Sequence, residues 1–189
     1  MTREEILSAA AEIFREKGYH AASMQDIAEA VKLKKGSLYH HVSSKQNILR
    51  SLLDQALDLL TVELTETADR PLPPEEKLRL AMVTYLRIMT ENLSLASVLL
   101  MEHRSLNPEH HQAHIPRRDR FEALWKKIIL QGVDSGSFRD LNVDQTVKAL
   151  LGTLNWTITW FNPRGKMSPE QIADQYCELF LQGMQNHDP

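Results

Sequence analysis

The chain has 189 residues, of which 42% are hydrophobic and 25% charged, and its formal net charge is −3. That length suits one medium domain or a small module joined to a larger one, and the composition is that of a globular protein rather than a basic nucleic-acid coat. A single cysteine excludes an internal disulfide and fits a reducing cytoplasm, no apolar run is long enough to span a membrane, and no secretory leader is expected before the first helix.

Residues 3–17 read as an amphipathic helix, with Ile6, Ala10, Ile13 and Phe14 on one face and Gly18 as its stop. Two short helices follow in the stretch MQDIAEAVKLKKGSLYHHV, Met24 to Val42. Ser23 caps the first, and Asp26, three residues later, completes a capping box. Ile27, Ala28 and Val31 supply its apolar face, and the run VKLKK breaks that pattern. The second helix starts near Lys35 and turns Leu38, Val42 and one side of Tyr39 inward. Lys34, Lys35, Ser37, His40 and His41 are left facing out. No acidic residue lies between Glu29 and Asp54, whereas Lys32, Lys34, Lys35, Lys45 and Arg50 do. A slim, cationic second helix braced by a first is what a helix-turn-helix brings to the major groove. Charge agrees with this, because residues 1–50 carry eight Lys/Arg against six Asp/Glu while the remainder is acidic.

Ser44 caps a fourth helix from about Lys45 to Thr67, with an apolar stripe from Ile48 to Leu64. The segment Arg70-Pro71-Leu72-Pro73-Pro74 is a break, and Pro74 opens a helix running to about Asn92. A short helix, Leu95 to Glu102, precedes a long one opened by Asn107-Pro108. Pro116 is expected to kink or break that helix, and Gly132 and Gly136 to end it. Asn142 caps a helix to about Phe161, and Ser168-Pro169-Glu170-Gln171 starts a last one reaching about Asn186. No alternating strand pattern occurs, so the expectation is an all-α protein of about nine helices.

The order I-A-x-A-x-x-x-x-K-G-S-L-Y-H-H behind an amphipathic helix resembles the TetR family of transcriptional regulators. The resemblance implies a DNA-binding module over residues 1–46 and a ligand-binding and dimerisation domain over 47–189. It also implies a DNA-facing set of Ser23, Met24, Lys34, Lys35, Gly36, Ser37, Tyr39, His40, His41 and Lys45. Gly36 allows a close backbone approach to phosphate, Tyr39 offers a hydroxyl, and Lys45 sits in a first helical turn where amides also attract phosphate. Two residues depart from the family pattern: Lys32 stands where glycine is usual, and Val42 where an aromatic is usual.

Enzyme signatures are missing from the sequence. The seven glycines form no phosphate-cradling loop, and no serine sits in a G-x-S-x-G elbow. Cys177 lies among Tyr176, Leu179 and Phe180 as a small core or interface residue. No cofactor is expected. His103, His110, His111 and His114 raise a metal reading, but His110 and His114 place only two imidazoles on one face, short of the three or four ligands a metal needs.

The stretch LLGTLNWTITWF, then SPEQIADQ and ELFLQG, resembles the TetR branch that responds to acyl-CoA thioesters and controls fatty-acid or sterol-ring catabolism. An apolar tunnel for the acyl part is then expected along Met82, Tyr85, Met89, Leu124 and Ile128. Trp156 and Trp160 would wall it, Asn155 would fix the thioester carbonyl, and Arg104, Arg117, Arg118 and Arg120 would meet the CoA phosphates. The same residues also suit another apolar small molecule, and an ordinary core with a solvated arginine face. The expected partners are a double-stranded palindromic operator, a small-molecule effector and a second copy of the chain, docked through the last two helices. No membrane is involved.

Overall fold

Four caps expected from sequence close on the expected atoms. Ser23 Oγ accepts from the Asp26 amide at 3.1 Å, and Asp26 Oδ2 returns a bond from the Ser23 amide at 2.7 Å. Ser44 accepts from Asn47, Asn142 from Gln145, and Ser168 exchanges bonds with Gln171. Each cap satisfies amides that a helix cannot pair internally. The computed structural model describes residues 2–185 and contains, among them, nine α-helices. They are α1 Arg3–Lys17, α2 Met24–Ala30, α3 Lys35–Leu38, α4 Lys45–Asp69, α5 Pro74–Glu91, α6 Leu93–Met101, α7 Pro108–Asp134, α8 Val143–Trp160 and α9 Pro169–Met184. A 3₁₀ turn, His103–Ser105, separates α6 from α7. Among the described residues no strand forms, and one isolated antiparallel bridge joins Phe138 and Gln185. The fold is all-α.

The helices gather into two compact units. The first comprises Met1–Asp58 and Asn92–Arg117, the second Leu59–Glu91 and Arg118–Pro189. In the first, α1 packs on α2 and α6, burying Ile6, Ala10 and Phe14 with Ile27, Leu38, Leu49 and Val98. Fully burying side chains of this size contributes about 1.5–3 kcal/mol each. In the second, α5 packs on α8 and α9. Its interior includes Leu78, Met82, Leu86, Leu150, Leu154, Ala173 and Cys177. Tyr85, Phe121 and Trp125 form an aromatic trio with centroids 6.0 to 6.4 Å apart.

Two expectations about α7 need correction. Pro116 does not break it, because the helix is continuous from Pro108 to Asp134. One lost amide is outweighed by the anchoring of Phe121, Trp125, Ile128 and Ile129, all buried. Gly132 lies inside the helix rather than at its end. A Cβ there would come within 2.0 Å of the Phe138 ring, so glycine serves close packing. Gly136, at φ +77°, takes the left-handed turn that follows.

Candidate nucleic-acid interface and effector region

The helix α3 is a single turn. Backbone bonds from His40 to Ser37, from His41 to Leu38 and from Val42 to Leu38 extend it in a tighter form, so Tyr39, His40 and His41 stand in a turn rather than on a helix. Leu38 and Val42 are buried beneath it. Lys34, Lys35, Gly36, His40 and His41 are exposed, Ser37 is half-buried, and Tyr39 is 46% exposed. Space above Gly36 is open, with nothing within 4 Å of where a Cβ would stand, so no packing inside the protein demands this glycine. Lys32 sits at φ 55° in the joint between α2 and α3, the left-handed conformation that the glycine of the family pattern adopts without strain. Ser23 is exposed at the start of α2, whereas Met24 is buried and presents no side chain outward.

Lys45 departs most from expectation. Its ammonium does not point to solvent. It donates to the carbonyls of Tyr19 at 2.8 Å, Ala22 at 2.7 Å and His20 at 3.4 Å. A side-chain contact to phosphate does not fit that placement, because the ammonium spends its three protons organising the loop between α1 and α2. Gln46 beside it donates to the Tyr19 hydroxyl and the Ser105 carbonyl, both at 2.8 Å, and accepts from the Asn107 amide at 3.0 Å. Glu102 accepts from the Tyr19 amide at 3.0 Å and from Ser105 Oγ at 3.1 Å. Burial holds the Tyr19 phenol above its ordinary range. These side chains tie the α1–α2 loop and the start of α4 to the turn before α7, inside the first unit. Sequence reading missed them because the partners joined across these segments lie 23 to 83 positions apart.

In the second unit, Met82, Tyr85, Met89 and Ile128 are buried and Leu124 is half-buried. The Tyr85 hydroxyl donates to Asn155 Oδ1, and burial raises the Tyr85 phenol far above its usual value, so it remains a donor at all physiological pH. Trp125 is fully buried, and its indole Nε1 has no acceptor among the described residues. Sequence patterning gave Trp125 an apolar position on α7 and carried no sign of this unused donor. Trp156 and Trp160, expected to wall a tunnel, are instead 67% and 49% exposed on α8. Leu179 on α9 is 67% exposed.

Of the four arginines, Arg104 and Arg117 belong to the first unit, and Arg118 and Arg120 to the second. Arg117 is already engaged: its Nε lies 3.3 Å from Asp54 Oδ1, and its Nη1 pairs with Asp58. Arg118 pairs with neighbouring Asp119 at 3.4 Å. His110 and His114 are both buried on α7, and the described residues contain no group of three or more side chains able to hold a metal ion together.

Residues 6–52 match the family of bacterial regulatory proteins, tetR family, and residues 71–184 match the tetracyclin repressor-like, C-terminal domain. The HTH-type transcriptional repressor KstR2 of Mycolicibacterium smegmatis is 31% identical, over 96% of this chain and 90% of its own. Among solved structures, the TetR family transcriptional regulator PfmR from Thermus thermophilus matches with a TM-score of 0.88 and 39% identity, covering 96% of this chain and 99% of that one. AibR in complex with isovaleryl coenzyme A and operator DNA matches with a TM-score of 0.86 and 27% identity, over 94% of this chain and 96% of its own.

Proposed function

Because this chain belongs to the TetR family and is a TetR-type transcriptional repressor rather than an enzyme, we propose that it binds a palindromic operator as a cytoplasmic homodimer and is released by an acyl-CoA thioester. Its target genes are then those of fatty-acid or sterol-ring breakdown. Residues 1–46 bind DNA, and residues 47–189 take the effector and the second subunit. Ser37 and His40 read base edges. Lys34, Lys35, Tyr39 and the backbone at Gly36 hold phosphates, which position the protein without reading sequence.

The observation that carries the effector reading is the Trp125 indole N–H, a donor without an acceptor inside an apolar interior. A carbonyl brought within reach of this N–H would accept from it, a bond worth about 0.5–1.5 kcal/mol net. Met82, Met89, Leu124 and Ile128 would bury the acyl part, and Tyr85 with Asn155 would add polar points. Similarity to AibR, solved with isovaleryl coenzyme A, supports the thioester over a free acid. Within the second unit, Arg118 and Arg120 remain the supply for the CoA phosphates. Trp156, Trp160 and Leu179 join the subunit interface of α8 and α9, where Gly152 and Gly183 leave open space for close approach.

Release is a population shift: the effector favours a dimer whose recognition segments no longer match sites ~34 Å apart. Turning occupancy from 99:1 to 1:99 needs about 5.5 kcal/mol of differential affinity. The test is to titrate protein on labelled operator with palmitoyl-CoA, isovaleryl-CoA, palmitate and CoA separately. A thioester should release DNA at concentrations where the acid and CoA do not. Equal release by palmitate would remove the thioester reading and leave another apolar effector.

A further inference from the structure

A cleft of about 380 Å³ opens in the first unit beside the recognition segment. Three elements meet at it: Arg3 from the first turn of α1, His41 and Ser43 from the turn after α3, and Asn47, Arg50 and the Asp54 carboxylate from α4. Arg3 Nη2 donates to Ser51 Oγ at 2.6 Å, which holds its guanidinium against the wall instead of leaving it to solvent. Arg50 is bound only loosely, its Nε 3.5 Å from Asp54 Oδ2, with the guanidinium side chain 47% exposed. A pair this exposed is worth about 0–1 kcal/mol. Asp54 is moreover shared with Arg117, which takes its other oxygen at 3.3 Å. In the cleft lining two guanidiniums, Arg3 and Arg50, stand against one carboxylate, Asp54, and one positive charge is left over. Glu5 and Glu12 of α1 line a different cleft with Lys32. Asn47 Nδ2 donates to Ser43 Oγ, which leaves the Ser43 proton available to an anion.

We propose that this cleft grips a backbone phosphate of the operator, with Arg3 and Arg50 as charge-assisted donors and Ser43 as a neutral one. The inference rests on the DNA-binding reading above and adds α1 and α4 to the elements that set register on the duplex. Position argues for DNA over a free anion. His41 forms both the lip of the cleft and the end of the recognition segment, and a strand carries a phosphate every ~3.4 Å of helix axis. A strand whose base edges face Ser37 and His40 therefore runs its next phosphates past His41.

The test uses the full-length protein on two duplexes, one selected from a random library and one unrelated, by fluorescence anisotropy at several KCl concentrations. Arg3→Gln and Arg50→Gln should each weaken both duplexes by a similar factor, and the exposed Arg15→Gln on α1 should not. Because both arginines serve one phosphate, the double variant should lower the salt slope by ~0.9 in all, not twice that. Replacing phosphates one at a time by neutral methylphosphonate should then find one position per half-site that weakens the wild type and is silent in the double variant. Arg50→Lys should retain the slope, which separates lost charge from a damaged fold. Unchanged binding by both glutamine variants at every salt overturns the cleft assignment. So does a loss confined to the selected duplex, or a scan with no position silent in the double variant. A wild type that binds neither duplex overturns the DNA-binding reading itself.

Discussion

The Lys45 ammonium lies 4.4 Å from the centroid of the Tyr19 ring and donates to the carbonyl of the same residue at 2.8 Å. One tyrosine thus receives the charge on its face and on its backbone, while its hydroxyl accepts from Gln46. Hydrogen bonds from a charged donor are worth about 1.5–3 kcal/mol each when buried, and Lys45 is half-buried. Lys45→Ala should therefore lower stability by roughly 2 kcal/mol in urea unfolding. It should weaken DNA binding for every sequence with no change in salt slope. A slope reduced by ~0.9 at unaltered stability would return Lys45 to the phosphate contacts.

Lys32 makes a second test. A left-handed backbone costs a non-glycine residue about 1–2 kcal/mol. Glycine relieves that cost but gives back about 0.4–1 kcal/mol through the freer unfolded chain. Lys32→Gly should then be neutral to about 1 kcal/mol more stable, whereas Lys32→Ala should gain nothing, because it retains the strain. Equal midpoints for the glycine and alanine variants would show that the joint is unstrained.

At the recognition face, Tyr39→Phe should weaken operator and unrelated duplex alike, since a phosphate contact carries no sequence information. His40→Ala should change the preferred base at one position of each half-site. Selection from a random duplex library compares the two, and an unaltered preference would take His40 off the base edges.

These positions also mark what could be read without coordinates. Ser23 with Asp26 and Ser168 with Gln171 are local signals, three residues apart, and both closed as written. The exposed face of Lys34, Lys35 and His40 followed from spacing against buried Leu38. The bonds of Lys45 were not legible because its partners at 19–22 are distant in sequence, and nothing local tells an ammonium bonded to carbonyls from one bonded to phosphate. The exposure of Trp156 and Trp160 was not legible because period alone cannot say whether an apolar residue faces its own core or away from it. Pro116 was overrated as a breaker because the buried face after it decides the matter.

The α8–α9 surface yields a fourth prediction. Leu179 exposes two-thirds of its surface, and so does Trp156. Leu179→Glu should leave the protomer folded, because the residue is not part of its core, yet shift sedimentation from dimer to monomer. It should also abolish operator binding at protein concentrations where the wild type binds. A wild type that sediments as a monomer at micromolar concentration removes the two-fold argument.

Cys177 gives a pH test with a definite sign. Burial pushes its thiol up to about 11, with Arg79 pulling weakly the other way. The thiol is then neutral throughout the physiological range, and the neutral form is the unreactive one. Ellman's reagent should modify native protein only at the rate of unfolding, and at full rate in denaturant. Rapid stoichiometric reaction of the native protein at neutral pH would contradict the burial.

Gly132 reaches further than its own helix. The Phe138 ring occupies the space its missing side chain leaves, and Phe138 leads into Arg139, whose backbone amide donates to the Met184 carbonyl and whose Nε donates to the Gly183 carbonyl, both at 2.8 Å. The carbonyls that end α9 are thus finished by a residue held in register by a plug in a neighbouring helix. A methyl group at 132 would lift the plug, unhook Arg139 and let the last turn of α9 fray. An alanine buried on α7 would then register as a looser end of α9, the helix proposed above to carry the second subunit.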